Sequence, residues 1–172
     1  MPDTSDDDQQ PPGREALRVR KMREADLPGV LRILALWNMA PRPVSAEVPD
    51  PERTTIEVAN GFVAEADGRI AGTCSYFLLD DGWAETASLA VDPAPQFAGV
   101  GVLLQEARLA EMRRRGVRRV RTETDRPATV RWYVRRFGYR VVGTNPKKHA
   151  FSLPDVAVWT VLELDLAPDP GA

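Results

Sequence analysis

The chain has 172 residues, of which 43% are hydrophobic, and a net charge of −2 at pH 7. That length fits one domain with a sizeable core, and the small net charge gives no general field favouring nucleic acid or a membrane surface. A single cysteine excludes an intrachain disulfide, and one cysteine with one histidine cannot build a zinc site, so we expect no metal.

The first residues are acidic and polar, with Asp6-Asp7-Asp8 followed by glutamines and prolines. Such a composition cannot bury apolar surface, so residues 1–14 are predicted to be a disordered acidic tail. They lack the basic and apolar regions of a signal peptide, and no apolar run approaches the length of a membrane span. We therefore expect a cytoplasmic protein.

The next segments show strand and helix patterns in turn. Residues 17–22 alternate and predict a first strand, and Asp26 is placed to cap the helix that follows it. After a proline-containing loop, residues 51–60 predict a short second helix. Residues 62–77 predict two strands, because Asp67-Gly68 within them is a strong hairpin signal.

The stretch from Trp83 to Gly116 combines a strand, a loop and a helix. The strand over 83–91 ends at Asp92-Pro93, since proline cannot donate a ladder hydrogen bond. The loop contains two glycines, which permit a close backbone approach, and it opens a helix whose first amides and dipole attract anions. We predict that this loop is a phosphate cradle. The helix has an apolar face at Val100, Leu103, Leu104 and Ala107.

Two other nucleotide-binding patterns fit this loop less well. A Rossmann fingerprint needs a third glycine where Leu104 stands, and a P-loop needs Gly-Lys-Ser/Thr, which is absent. A plain strand–helix turn with packing glycines is the remaining alternative.

The last third of the chain predicts one more helix, from Pro127 to Phe137 and closed by Gly138. A long loop follows over 144–155, and residues 167–172 form a C-terminal tail. The arginines between 113 and 140 are interpreted as a solvated basic face rather than a nucleic-acid patch. Three further strands are predicted over 117–123, 139–143 and 158–164.

At the glycine loop the sequence resembles the GCN5-related N-acetyltransferases, whose signature Arg/Gln-x-x-Gly-x-Gly/Ala is met by Gln96, Gly99 and Gly101. The order of elements over residues 16–166 is also similar. The resemblance implies a single α/β (α+β) domain with a mixed, mostly antiparallel sheet of about seven strands flanked by four helices. It implies acetyl-coenzyme A as co-substrate, with its pyrophosphate on the loop amides and its pantetheine paired with the preceding strand. The coenzyme-binding residues so implied are Leu89, Ala90, Val91, Gln96, Phe97, Ala98, Gly99, Val100, Gly101 and Val102.

Glu85 is the candidate general base for acetyl transfer to an amine. Alternation predicts that it shares a strand face with Ala87, Leu89 and Val91, and a carboxylate on a mainly apolar face has its pKa raised by desolvation. Some members of the family carry a glutamate at this spacing before the valine that ends the strand. The alternatives are a solvated glutamate and a base made of ordered water.

Tyr133 is the candidate general acid that protonates the departing thiolate. It belongs to a segment ending in Gly138-Tyr139 that resembles the second landmark of the family. Four residues separate Tyr133 from Gly138, where the family pattern has three, and the asparagine of the pattern is missing. A core aromatic residue is therefore the alternative for Tyr133, and a non-catalytic acyl-coenzyme A-binding or regulatory module is the alternative for the whole protein.

The resemblance implies a primary amine as acceptor, on a small molecule or a peptide. The small net charge and the lack of a long apolar run predict no nucleic acid or membrane partner. Its recognition is expected to depend on the loops over 38–50 and 144–157. In the second loop, Lys147-Lys148-His149 could attract an acidic acceptor or supply a base, although a lone loop histidine is more often simply solvated. A homodimer is one assembly that the sequence allows.

Overall fold

The computed structural model describes residues 17–41, 56–147 and 150–171. Within these ranges seven strands form one sheet, and three α-helices pack against it. The strands are β1 (Arg18–Lys21), β2 (Gly61–Ala66), β3 (Arg69–Leu78), β4 (Trp83–Val91), β5 (Arg119–Thr124), β6 (Arg140–Pro146) and β7 (Val158–Asp165). The helices are α1 (Leu27–Leu36), α2 (Val100–Arg114) and α3 (Pro127–Phe137).

The strand order across the sheet is β1-β2-β3-β4-β5-β7-β6. Every neighbouring pair is antiparallel except β4 and β5, which are joined by α2 and run parallel. A parallel pair needs a crossover of this kind, because a tight turn can join only antiparallel strands. The predicted fold class, a mixed and mostly antiparallel sheet of seven strands, is confirmed.

The helices cover both faces of the sheet. On one face, α1 buries Val30, Ile33 and Leu34 in a cluster that also contains Val63 of β2 and Ala90 of β4. On the other face, α2 and α3 pack on a larger cluster. Its most buried members include Tyr76, Ala84, Leu104, Met112 and Leu162.

The predicted number of four helices is one too high for the described residues. Residues 51–55 of the predicted second helix lie outside the described ranges, and the rest forms only a 3₁₀ turn, Val58–Asn60. Glu57 is already extended, with φ −86° and ψ 98°, so no α-helix passes through it. The predicted tail, residues 1–14, also lies outside the described residues. The long loop begins later than predicted, because β6 continues to Pro146.

Candidate active site

The parallel strands β4 and β5 separate after a short common stretch. Only three residue pairs join them, the last being Glu85 with Arg121, although β4 continues to Val91 and β5 to Thr124. The diverging ends open a cavity of about 840 Å³ between them. Its walls come from β4, β5, α2, α3 and the 150–159 segment. They include Glu85, Ser88, Gly101, Arg108, Glu123, Asp125, Trp132, Tyr133 and Trp159.

A bulge interrupts β4 where it borders this cavity. Thr73 pairs with Ala90 and Ser75 pairs with Ala87, so two residues of β4 stand opposite one of β3. Ser88, at the bulge, has a φ of +56°, which is rare for a residue other than glycine. An extra residue of this kind disrupts the ladder locally and bends the strand.

The bulge also overturns one sequence expectation. Leu89 and Val91 pack with Ala84 in the cluster beneath α2, whereas Ala90 belongs to the cluster beneath α1. Glu85 faces away from Ala84 and therefore does not share a face with Leu89 and Val91. The prediction of a single face was wrong because an extra residue in a strand inverts the alternation beyond it.

The glycine loop lies at the start of α2, next to the cavity. Gly99 has a φ of +87° and precedes the first helical residue, a conformation that glycine adopts without strain. Gly101 lines the cavity, and a Cβ placed there would meet Val91 and Trp132 at 3.7 and 3.8 Å. The Val102 amide donates to the Gly99 carbonyl at 3.2 Å, whereas the amides of Val100 and Gly101 precede the first intrahelical bonds and are available to an anion. Gln96 is exposed, and Phe97 is half-buried against the core.

Glu85 is half-buried in the cavity wall and has no hydrogen bond or ion pair with any described residue. Its pKa is raised, first by desolvation and then by the charge of Glu123, while Arg121 opposes the shift. Glu123 itself accepts a hydrogen bond of 2.7 Å from Asn145 and lies 3.4 Å from Arg121. Glu85 is thus the carboxylate of this wall that remains unengaged.

Tyr133 is 3% exposed and lines the same cavity. Its ring packs between Trp132 and Tyr139, with ring centroids 5.0 and 4.9 Å away. Its hydroxyl oxygen lies 3.4 Å from a guanidinium nitrogen of Arg108. Despite its offset from the family spacing, Tyr133 therefore reaches the cavity as well as the core.

Arg108 of α2 is a cavity residue that the sequence analysis did not single out. It is 0% exposed, and its guanidinium donates to the carbonyl oxygens of Ser75 and Ala87, at 2.9 and 3.2 Å, on the two strands beside the bulge. It also donates to Oε1 of Gln105. The available signal was its spacing, since Arg108 stands four residues from both Leu104 and Met112 on the buried face of α2. Leu103, expected on that face, is 44% exposed.

Lys147 does not lie free at the cavity mouth. Its ammonium forms a 2.7 Å ion pair with Asp125, and the two side chains are only 3% and 1% exposed. Burial alone would raise the pKa of Asp125, but hydrogen bonds from Lys147 and from the Leu153 amide hold it below its usual value. Asp125, which follows β5, thus binds both Lys147 and the backbone of Leu153. Lys148 and His149 lie outside the described residues.

Other candidate chemistry is limited in the part of the chain that the structure describes. Cys74 is fully buried, and burial raises the pKa of its thiol to about 11. The described ranges contain no group of three or more histidine, cysteine or acidic side chains arranged to hold a metal ion. None of their helices is both long enough and apolar enough to cross a bilayer.

Comparison with protein families gives one match that covers most of the chain. The model of the acetyltransferase (GNAT) family matches residues 30–139, which include β4, the glycine loop, α2 and α3. A search of curated protein sequences gave no significant match.

Solved structures with the same fold include several acetyltransferases. The ribosomal-protein-S18-alanine N-acetyltransferase from Escherichia coli has a TM-score of 0.68 and 19% identity, covering 90% of this chain and 96% of that one. Ard1 from Thermoplasma volcanium has a TM-score of 0.67 and 20% identity, over 88% and 99% of the two chains. The yncA protein of Salmonella typhimurium, solved with acetyl-CoA, has a TM-score of 0.64 and 20% identity, over 90% and 99%. At these identities the likeness establishes the fold.

Proposed function

The chain belongs to the acetyltransferase (GNAT) family, and from this membership and the cavity we propose that it transfers the acetyl group of acetyl-coenzyme A to a primary amine. The observation that carries the proposal is the cavity where β4 and β5 diverge. Glu85, the β4 bulge, Gly101 and Tyr133 all line it. Residues 16–166 would form the single catalytic domain, with residues 1–14 and 167–172 as tails, in a cytoplasmic protein.

The coenzyme would lie along the glycine loop and β4. The residues from Gln96 to Val102 would surround the pyrophosphate at the positive end of the α2 dipole. The amides of Phe97, Ala98 and Val102 already donate to backbone carbonyls, so the amides of Gly99, Val100 and Gly101 would be its donors. The backbone of Leu89, Ala90 and Val91 would pair with the pantetheine arm, since β5 no longer pairs with this part of β4. A thioester entering from the loop would then end beside the bulge.

Glu85 is proposed as the general base. An alkylamine is almost wholly protonated at neutral pH and must lose a proton before it can attack the thioester carbonyl. A carboxylate without a partner and with a raised pKa is suited to accept that proton, directly or through one water molecule. Removal of the proton allows the nitrogen–carbon bond to form as the carbon–sulfur bond breaks.

Tyr133 is proposed as the acid that serves the departing sulfur. Its hydroxyl oxygen accepts a hydrogen bond of 3.4 Å from Arg108, and both residues line the cavity. The position of Tyr133 at the cavity wall supports this role, despite the offset in the sequence on which the binding-only alternative rests.

The acceptor would be a small-molecule or peptide amine that enters from the side of Trp159 and Asn145. Lys147 is engaged by Asp125, so this lysine supplies no free charge to attract an acidic acceptor. The proposed reaction uses no metal.

The proposal is tested by incubating the protein with acetyl-coenzyme A and a panel of primary amines. We expect amine-dependent release of coenzyme thiol, together with a product heavier than the amine by one acetyl group. Tight coenzyme binding without amine-dependent thiol release would instead support the acyl-coenzyme A-binding module.

A further inference from the structure

Arg108 carries a full positive charge in the interior and forms no ion pair with any described residue. Its hydrogen-bond partners are all neutral, namely two strand carbonyls, the side chain of Gln105 and the hydroxyl of Tyr133. Burial of a charge without an opposite charge is unfavourable even when its hydrogen bonds are made. Because Arg108 lines the cavity, an anion entering there would compensate it.

Arg108 also fixes what the Tyr133 hydroxyl can do. A guanidinium has donors and no acceptor, so the phenolic oxygen must be the acceptor in this contact. No residue in the described ranges accepts a hydrogen bond from the Tyr133 hydroxyl. The hydroxyl hydrogen is therefore left for a group in the cavity. A tyrosine that accepts from a cation is also a stronger donor, because hydrogen bonds in a chain polarise one another.

We propose that Arg108 and Tyr133 together form a binding site for the thiolate of coenzyme A, with Arg108 as the positioning residue. The inference rests on the proposed function, in which that thiolate is the leaving group. When the carbon–sulfur bond breaks, its electron pair stays on sulfur, and the Tyr133 hydroxyl donates to it. If the proton transfers, the negative charge moves to the phenolic oxygen, where Arg108 stabilises it until solvent returns a proton.

No neighbouring side chain in the described residues supplies a negative charge that compensates Arg108. Cys74 and Tyr139 lie near Arg108, and burial raises the pKa of both side chains, which keeps them neutral at pH 7. The carboxylates of the same cavity are Glu85, Glu123 and Asp125, and none of them bonds Arg108. Arg126, the other cation of the wall, lies over the ring of Trp37 and donates to Ser152.

A purely structural role for Arg108 makes a different prediction. If it served only to donate hydrogen bonds to the carbonyls of Ser75 and Ala87 beside the bulge, its loss would weaken the binding of coenzyme A and of acetyl-coenzyme A equally. A thiolate site distinguishes the two ligands, because only the free coenzyme has a thiol that can ionise. The ordinary pKa of an alkyl thiol is about 8.5, so a thiolate site must take up coenzyme A with release of a proton at pH 7.

Calorimetric titration of the wild-type protein with each ligand, between pH 6 and 9 and in buffers of different ionisation enthalpy, measures that proton. We expect coenzyme A to release close to one proton more than acetyl-coenzyme A near pH 7. Its affinity should rise by up to about tenfold per pH unit below the thiol pKa, relative to that of acetyl-coenzyme A. Acetyl-coenzyme A is the matched control, because it shares every phosphate of coenzyme A.

Three variants then assign the effect. Arg108→Met should abolish the difference in proton release between coenzyme A and acetyl-coenzyme A. Arg108→Lys should retain part of that difference, and Tyr133→Phe should reduce it. If Arg108→Met does not fold, Arg108→Lys and Tyr133→Phe test whether the two residues cause the proton release. Equal proton release by both ligands in the wild type would overturn the inference and leave the transferase proposal standing, as would an unchanged difference in the folded Arg108 variants. Failure of both ligands to bind the wild type would instead overturn the proposed coenzyme site itself.

Discussion

Glu85 of β4 and Arg121 of β5 are the last partners in the parallel pairing of these strands. Beyond them the strands diverge, and Glu85 stands at the apex of the cavity with its carboxylate unengaged by any described residue. The same feature of the backbone thus creates the space for a substrate and positions the group proposed to deprotonate it.

The first prediction concerns that group. Glu85→Gln preserves the shape of the side chain but removes its ability to accept a proton, so turnover should fall by about 10²–10⁴-fold, the usual contribution of a general base. Coenzyme affinity should hardly change, because Glu85 lies away from the glycine loop. Steady-state rates and a coenzyme titration provide the measurement.

The wild-type pH profile offers a second readout of the same residue. Because the pKa of Glu85 is raised, the acid limb of kcat/KM should lie above the ordinary range of a glutamate. Glu106→Gln, an exposed glutamate of α2, is the matched control and should leave rate and profile unchanged. Near-wild-type turnover of Glu85→Gln across pH 6–9 would show that ordered water, rather than Glu85, takes the proton.

The second prediction is a trade-off between activity and stability at Glu85. A carboxyl whose pKa is raised in the native state binds its proton more tightly there than in the unfolded chain. Its contribution to the free energy of unfolding is therefore present at low pH and is lost as pH rises through the native pKa. Glu85→Gln should therefore be more stable than wild type at pH 7 and close to wild type at pH 4. Urea unfolding at the two pH values measures this, and an equal difference at both would contradict the desolvation of Glu85.

Much of this architecture could be predicted from local patterns, whereas the features that depend on long-range packing could not. The Asp67-Gly68 hairpin and the ends of α3 follow from turn and cap chemistry, and the structure has them where predicted. Arg108 was missed because a charged residue at an apolar spacing is normally assigned to a solvated face. Its burial depends on carbonyls of β3 and β4 that lie more than twenty residues away.

The third prediction tests the glycine loop through Gly101. Glu at this position should leave the fold intact, because a Cβ meets only ordinary contacts there, and an acid in the first turn of a helix is favourable by about 0.3–1 kcal/mol. Coenzyme affinity should nevertheless fall by at least about tenfold, which is 1.4 kcal/mol, because the carboxylate repels the pyrophosphate. The variant should therefore gain or keep thermal stability while losing its ligand.

Gly101→Gln is the control for this substitution, since it adds nearly the same bulk without the charge. A larger loss of affinity in Gly101→Glu than in Gly101→Gln would assign the effect to electrostatic repulsion at the helix start. Unchanged coenzyme affinity in Gly101→Glu would remove the pyrophosphate from this loop.

The fourth prediction concerns the buried ion pair between Asp125 and Lys147. Asp125→Asn and Lys147→Met each leave one member of the pair buried without its partner, which should lower the free energy of unfolding by about 3–5 kcal/mol. The double variant Asp125→Leu with Lys147→Met should recover much of that loss, because neither charge then remains. The exposed pair of Arg140 and Asp165, with side chains 53% and 63% exposed, is the control. Its disruption by Arg140→Met should leave stability almost unchanged, because solvent screens exposed ion pairs.

The pH dependence of this pair has the opposite sign to that of Glu85. The pKa of Asp125 is lowered in the native state, so its stabilising contribution is complete above the ordinary aspartate pKa and is lost as pH falls through the native value. The penalty of Asp125→Asn should therefore shrink on acidification, whereas the penalty of the Arg140 control stays small throughout. Urea unfolding at neutral and acidic pH measures both. A pH-independent penalty would mean that Asp125 acts through its packing and through the hydrogen bond that it accepts from the Leu153 amide, rather than through its charge.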